Sequence, residues 1–265
     1  RTKTVDIYTI SDLKYNYEIS IDKLLTSRAY FHRYSYTGVY PYLTYIADET
    51  SISNTLGGEL NFMWDISVSN RLSIGTEFRS VYIAKLDITP DSGRSVNNKL
   101  PFKVYSLYLI DEHQITKDIS LNIGARFDNY TTGFSALSPR TAMIVNPFNN
   151  TTLKFLYGSA FRAPNIYEMM YEDSPTRSKA NPLLKPEYIT TLEFVAEHQI
   201  GEEIYLVGSL YQSSVSDIIE QTLLQDSSLQ FQNIQCNSTT GFEVELNTRF
   251  KNGLRTYISV NYQNA

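Results

Sequence analysis

The sequence is defined first by what it lacks. A single cysteine, Cys236, stands among 265 residues, so no internal disulfide can staple the fold, and the lone thiol reads as a small residue tolerated in a loop or strand end. No apolar run approaches the roughly 20 residues of a membrane helix. Residues 1–22 hold no apolar core of a signal peptide, so a leader is expected to be absent from this chain. Basic charge is not in surplus: 23 Lys and Arg face 28 Asp and Glu, for a net charge of -5. With no basic stripe, nothing points to a nucleic-acid partner. The three histidines, His32, His113 and His198, fall on separate segments without metal-ligand spacing. Nucleophile elbow, HExxH and P-loop are all missing. No catalytic residue, metal ligand or cofactor is predicted, and the chain reads as a non-enzyme.

Aromatic residues, by contrast, make up 13% of the chain, with 21 Tyr and 13 Phe, far too many for a disordered segment. They fall into runs in which apolar and polar side chains alternate. Phe242, Val244, Leu246, Thr248 and Phe250 share one face, and Glu243, Glu245, Asn247 and Arg249 the other. After Lys251-Asn252-Gly253, the next run separates Ile258, Val260 and Tyr262 from Arg255, Ser259, Asn261 and Gln263. Strand side chains repeat every second residue, so each strand has one oily and one charged face. Leu60, Phe62, Trp64 and Ile66 oppose Glu59, Asn61 and Asp65. Leu72, Ile74 and Phe78 oppose Arg71, Glu77 and Arg79. Ile119, Leu121, Ile123 and Phe127 oppose Asn122, Arg126 and Asp128, and Leu192, Phe194 and Ala196 oppose Glu193 and Glu197.

About twelve strands are expected, at 12–22, 24–40, 51–67, 71–88, 101–115, 119–131, 135–146, 151–163, 186–200, 204–220, 229–250 and 254–264. Residues 1–11 are either the top of the first strand or the remnant of an earlier one. Short polar turns alternate with longer polar connections at 41–50, 89–100, 164–185 and 221–228; only the link at Thr132-Gly133 breaks the order. Short turns at one end and long loops at the other suit an antiparallel, up-and-down transmembrane β-barrel, apolar outside and polar within. An Arg or Lys at the lipid midplane costs roughly 2–4 kcal/mol, which keeps charges on the luminal face. Arg79, Arg126, Glu193, Glu243, Glu245 and Arg249 are the candidate luminal polar residues. Trp64, Phe127, Tyr130 and Tyr262 suit interfacial girdles. A soluble β-sandwich also alternates, but does not require so regular an order of turn lengths.

Several segments add a resemblance. Tyr157-Gly158-Ser159-Ala160-Phe161-Arg162-Ala163-Pro164-Asn165-Ile166-Tyr167-Glu168 and Asn181-Pro182-Leu183-Leu184-Lys185-Pro186-Glu187 resemble signatures of TonB-dependent outer-membrane receptors. Asp111-Glu112, Gly124-Ala125-Arg126-Phe127-Asp128, Ser138-Pro139-Arg140 and Gly241-Phe242-Glu243-Val244-Glu245 fit the same pattern in the same order. The resemblance implies a 22-stranded barrel blocked by a separate plug domain. Residues 1–265 are then expected to be part of one barrel domain, with plug and signal peptide absent and about half the strands present. It implies a multi-pass protein of the cell outer membrane, in contact with outer-membrane lipid. Its ligand would be a siderophore or similar metal chelate, and the TonB complex would act on it through a plug not in this chain.

Locally, Pro164 ends a strand, and Asn165 can cap a short helix from Ile166 to Tyr171 with Glu168 completing a capping box. Tyr167, Glu168, Met169, Met170 and Tyr171 combine aromatics, thioethers and a carboxylate in the longest loop, and are the candidate ligand-binding residues. The competing reading is a loop packed on itself. Ferric siderophore uptake is expected first. Haem or cobalamin uptake is an alternative, although no histidine stands between Phe161 and Pro182, and tyrosine can ligate haem iron. A passive porin-like channel or structural surface barrel is the alternative of another class.

Overall fold

Alternating, β-branched and aromatic runs become strands that pair in chain order. The structure is a computed structural model that describes residues 2–41, 45–90, 96–172 and 177–265. Its strands are β1 (Lys3–Ser20), β2 (Lys23–Pro41), β3 (Ile46–Ser67), β4 (Asn70–Pro90), β5 (Val96–Lys99), β6 (Phe102–Thr116), β7 (Ile119–Tyr130), β8 (Phe134–Phe148), β9 (Thr151–Arg162), β10 (Ser178–Lys179), β11 (Glu187–Ile200), β12 (Ile204–Ser216), β13 (Ile218–Leu223), β14 (Leu229–Ile234), β15 (Asn237–Arg249) and β16 (Arg255–Asn264). One helix, α1 (Ile166–Met170), follows β9. The wall runs β1-β2-β3-β4-β6-β7-β8-β9-β11-β12-β15-β16, all antiparallel, with β5 added beside β4. This is the up-and-down meander expected, and among the described residues it is open: β1 and β16 are its two edges.

The register confirms the two faces. Leu107, Phe127 and Leu137 lie in one cross-strand row, and Tyr108, Arg126 and Ser138 in the adjacent one. The first row is exposed, Leu107 at 59% and Leu137 at 58%. The second joins a network of charged hydrogen bonds described below. Residues before position 12 continue β1 and are no separate element. Cys236 is exposed between β14 and β15. The connections at 41–50 and 89–100 include residues outside the described ones, and β3 and β4 run further into them than expected.

Two expected strands divide. The run 204–220 breaks at Asp217, which takes a left-handed φ of 54°, a conformation costly for most L-residues but tolerated by Asp. The run 229–250 breaks between Ile234 and Asn237. The pieces β13 and β14 leave the wall, pair as a hairpin, and take β10 as a parallel third strand in a separate small sheet. The apolar parity shifts across the second break, from Leu229 and Phe231 to Phe242 and Val244, and Ile218 and Ile219 stand side by side after the first.

One irregularity reorganises the upper wall. Thr55 pairs with Val81 but Asn54 pairs with Ile83, so Tyr82 is an extra residue in β4. A bulge of this kind shifts the parity of everything beyond it. Below it, Leu72, Ile74 and Phe78 face out. Above it, Ala84, Leu86 and Ile88 turn inward and are buried, while Lys85 and Asp87 face outward as an ion pair. At about 3.4 Å per residue and a tilt near 45°, Lys85 stands about 36 Å above the short-turn end, beyond the ~25 Å apolar band of such barrels. Beyond the bulge the outer face of β4 carries this ion pair. The inner face turns apolar where a loop covers it.

Candidate functional site

The loop between β9 and β11 builds the site. Pro164 follows the last residues of β9 and offers no donor for a ladder. Asn165 then caps α1: its Oδ1 accepts from Glu168 N at 2.9 Å, while Glu168 Oε2 accepts from Asn165 N at 2.9 Å. This is the expected capping box. Arg162 adds to it. Its Nη1 donates to both oxygens of Glu168 at 2.9 and 3.0 Å, and its Nε donates to Glu187 Oε2 at 2.6 Å. The other Glu187 oxygen accepts from Ile219 N at 2.7 Å. One guanidinium therefore ties the helix, the start of β11 and the departing hairpin β13–β14 into a clasp.

Hydrogen bonds from asparagine side chains complete it. Asn181 Nδ2 donates to Phe231 O at 2.8 Å, and Asn181 N donates to Met169 O at 2.9 Å. Asn233 accepts from Lys185 N at 2.8 Å and donates to Lys185 O at 2.9 Å and to Asp217 O at 2.7 Å. Lys179 pairs with Asp226 at the hairpin tip. That partner and the Ser228 donors hold the Asp226 carboxyl well below the usual carboxylate range.

The candidate binding residues are all in this clasp, mostly packed into it. Tyr167 and Tyr171 stack at 4.6 Å and lie, with Ile166, against Tyr45, Ala47, Leu86 and Ile88. Met169 is 7% exposed, against Leu184 and Ile219, with Met170 at the margin of the same cluster. Asn98 Nδ2 reaches from β5 to Met170 O at 2.6 Å. Glu168 is engaged by the cap and by Arg162. The loop spans the inner wall from β9 to the β4–β5 hairpin and roofs it.

Beneath the roof is a cavity of ≈ 690 Å³. Pro164, Asn165, Ile166, Tyr167 and Met169 reach it from the loop; the wall contributes chiefly His32, Tyr34, Glu49, Arg79, Phe102, Tyr130 and Phe134. The size suits a drug-sized ligand. Arg79 Nη2 donates to Tyr130 OH at 3.0 Å, its guanidinium lies 6.0 Å from the Tyr130 ring centroid, and its Nε has no partner. Among the described residues it pairs with no carboxylate. Glu49 is the carboxylate of this wall, and burial pushes its pKa up. An acid whose charged form burial disfavours, and a guanidinium with no carboxylate in ion-pair range, make among aromatic rings a site that favours an anionic, partly aromatic ligand.

Tyr130 corrects an expectation. It is not an interfacial girdle residue: it shares the parity of Arg126 and Asp128, is 9% exposed, and stacks on Phe134 at 4.4 Å. Its position at the end of β7 suggested a girdle, but parity puts it inside. Trp64, Phe127 and Tyr262 are exposed on the outer face.

Lower down, Arg126 centres a network on the inner face of the wall. Its guanidinium donates to Glu77 Oε2 at 2.6 Å, to Asp128 at 2.9 and 3.0 Å, and to Ser106 Oγ at 2.8 Å. Tyr30 OH donates to Glu77 at 2.5 Å and Tyr108 OH to Glu59 at 2.8 Å. Glu243 and Glu245 accept from Ser259 and Tyr257 on β16. Arg79 and Arg126 thus belong to one neighbourhood on β4–β7, whereas Glu193, Glu243, Glu245 and Arg249 line the far part of the same face. Sequence reasoning missed His32, Tyr34, Glu49 and Phe134 as cavity residues. Their only signal was inward parity on strands that converge under the loop.

Comparison with known proteins agrees with this architecture. Residues 2–265 match the family described as TonB dependent receptor-like, beta-barrel. No curated protein matches the sequence. Among solved structures, the chain is similar to the siderophore receptor PirA from Pseudomonas aeruginosa, at 18% identity and a TM-score of 0.66, over 97% of this chain and 56% of that one. It is also similar to the ferric enterobactin receptor (PfeA) from Pseudomonas aeruginosa, at 14%, 0.68, 99% and 52% in the same order. The copper transporter OprC gives 17%, 0.71, 99% and 46%. The chain spans about half the length of the solved proteins it matches. At these identities the likeness establishes the fold, and the family match over nearly every residue establishes more: the chain belongs to the TonB-dependent receptor β-barrel family.

Proposed function

We propose that the chain forms part of the wall of an energised receptor in the outer membrane, and that this receptor takes up a ferric siderophore. The wall would complete a plugged, 22-stranded barrel, with TonB acting through the plug. The observation that carries the ligand assignment is the mouth cavity. Arg79 without a carboxylate partner, set among Tyr34, Phe102, Tyr130 and Phe134, suits a chelate that carries negative charge and planar groups. The solved siderophore receptors of the same fold support the reading. The proposed activity is uptake and not catalysis: no bond is made or broken. Tyr167, Glu168, Met169, Met170 and Tyr171 contribute by shaping the roof, with Tyr167 and Met169 as its contact residues.

Growth on single ferric siderophores as sole iron source, with and without the gene, tests the class. A binding titration of the responsible chelate then tests the site. Arg79→Gln should weaken binding by about 1.5–3 kcal/mol, the range for a hydrogen bond to a charged group; unchanged affinity discards Arg79 as the anchor.

A second reading, haem uptake, is favoured by one observation: His32 and Tyr34 both line the cavity, although the loop itself lacks histidine. Haem titration with the Soret band as readout separates the two. A shift abolished by His32→Ala selects haem, and no shift at all leaves the siderophore reading.

A further inference from the structure

The outward face changes character at one level of the wall. Leu56, Phe78 and Tyr105 belong to the apolar belt on β3, β4 and β6, the two rings 5.3 Å apart, and Ile83 extends it on β4. Immediately beyond them, toward the long connections, the same face carries cations. Arg33 stands two positions from Phe31, which pairs with Leu56. Lys103 stands two positions from Tyr105 and pairs with Ser80. Lys85 follows Ile83, and Lys99 on β5 pairs directly with it. Like charges placed opposite one another in a ladder are destabilising unless an anion lies between them. Lys85 is ion-paired with Asp87. Asp48 is the other carboxylate on this face of β3. Among the described residues, Arg33, Lys99 and Lys103 have no ion-pair partner, and Arg33, Lys99 and Lys103 are exposed.

We propose that Arg33, Lys85, Lys99 and Lys103 form a binding surface for the phosphate groups of outer-leaflet lipid headgroups. This inference rests on the membrane reading of the wall. About ten residues separate the short turn before Asn70 from Ser80, the length that crosses a bilayer in a tilted strand. The cations therefore begin where hydrocarbon ends and the headgroup layer starts. Lysine and arginine stems cover apolar surface while their heads reach the interface, and each cation at an anionic lipid surface adds to binding. Asp87 already supplies an anion to Lys85, and a lipid phosphate would supply one to Lys99 beside it. A merely solvated rim needs no such pairing.

The test uses the full-length protein in non-ionic detergent, titrated with a phosphomonoester-bearing glycolipid and with the same lipid after enzymatic dephosphorylation, read by native mass spectrometry. The phosphorylated lipid should bind at least about tenfold more tightly, and the triple variant Arg33→Gln, Lys99→Gln, Lys103→Gln should lose that preference. Heat-modifiable gel mobility and recovery in the membrane fraction verify that the variant is inserted. Equal binding of both lipids, or an inserted triple variant that keeps the preference, overturns the proposal. Full competition by millimolar inorganic phosphate also overturns it, by revealing a site for free anions. Recovery of the wild type in the soluble fraction overturns the membrane reading itself, and the lipid surface with it.

Discussion

Arg162 Nε donates to Glu187 Oε2 at 2.6 Å, a hydrogen-bonded ion pair between residues 25 positions apart in the chain. The arginine ends β9 and the glutamate begins β11, so the pair closes the base of the long loop between them. Because Glu187 also accepts from Ile219 N, the pair fastens a second connection, the β13–β14 hairpin. The two connections over the mouth are thereby one mechanical unit.

This arrangement predicts an order of effects. Glu187→Gln keeps an acceptor for Ile219 but loses the charge; Glu187→Ala loses both. Since Arg162 is nearly half exposed, the ion pair alone is worth about 1 kcal/mol or less. Loss of the acceptor for a part-buried N–H adds about 1–3 kcal/mol. Hydrogen exchange of residues 163–172 and 177–186 and of the 217–236 segment should rise together, and more for Ala than for Gln. Exchange that rises in one segment alone would contradict the shared unit.

Acid should open the hairpin tip late. The Asp226 carboxyl is lowered by Lys179 first and by Ser228 next. A group whose folded pKa is depressed adds stability that is present above the ordinary carboxylate range and is lost as pH falls through the depressed value. Amide protection at Ser228 and Leu229 should therefore hold from neutral pH through the ordinary carboxylate range and decline only below it. Asp226→Asn should remove the acid dependence. A decline near neutral pH would assign it to another group.

Two tyrosines lie flat across glycines of neighbouring strands. A Cβ built on Gly57 would sit 2.1 Å from Tyr30 Cζ, and one on Gly75 would sit 2.1 Å from Tyr108 Cζ. These rings carry the hydroxyls that reach Glu77 and Glu59. Gly57→Ala must displace the ring and break its hydrogen bond, at a cost of about 1–3 kcal/mol. In a double-mutant cycle of detergent unfolding, Gly57→Ala should cost far less in a Tyr30→Phe or Tyr30→Ala background. Additive effects would mean that the ring and the glycine are independent.

Much of this was legible in the sequence, for physical reasons that differ by residue. The inward parity of Arg126 and the outward parity of Phe127 follow from a period of two, which no tertiary context alters within an unbroken strand. The helix cap at Asn165 follows from local chemistry, because Pro164, Asn165 and Glu168 satisfy each other within one turn. The bulge at Tyr82 was not legible: Val81, Tyr82 and Ile83 are equally good strand residues, and only pairing across to Thr55 and Asn54 shows which is extra. It decided the cavity, since Leu86 and Ile88 face inward only because of it. The departure of β13–β14 left only a faint trace: Asp217 is exceptional only in φ, and the apolar parity shifts between Phe231 and Phe242 without marking where the chain leaves the wall. For the loop, Tyr167 and Met169 read as surface ligands because nothing local reveals the wall they pack against.

Side-chain environment along one cross-strand row tests the central claim most directly. With Cys236 first replaced by serine in the full-length protein, nitroxide labels placed singly at Leu107, Phe127 and Leu137, and at Tyr108 and Ser138 beside them, can be compared in lipid vesicles. The outward labels should collide with lipid-dissolved oxygen and be shielded from a water-soluble nickel chelate, and the inward labels should show the reverse. Equal access of the nickel reagent to both rows would contradict a wall with hydrocarbon on one side and water on the other.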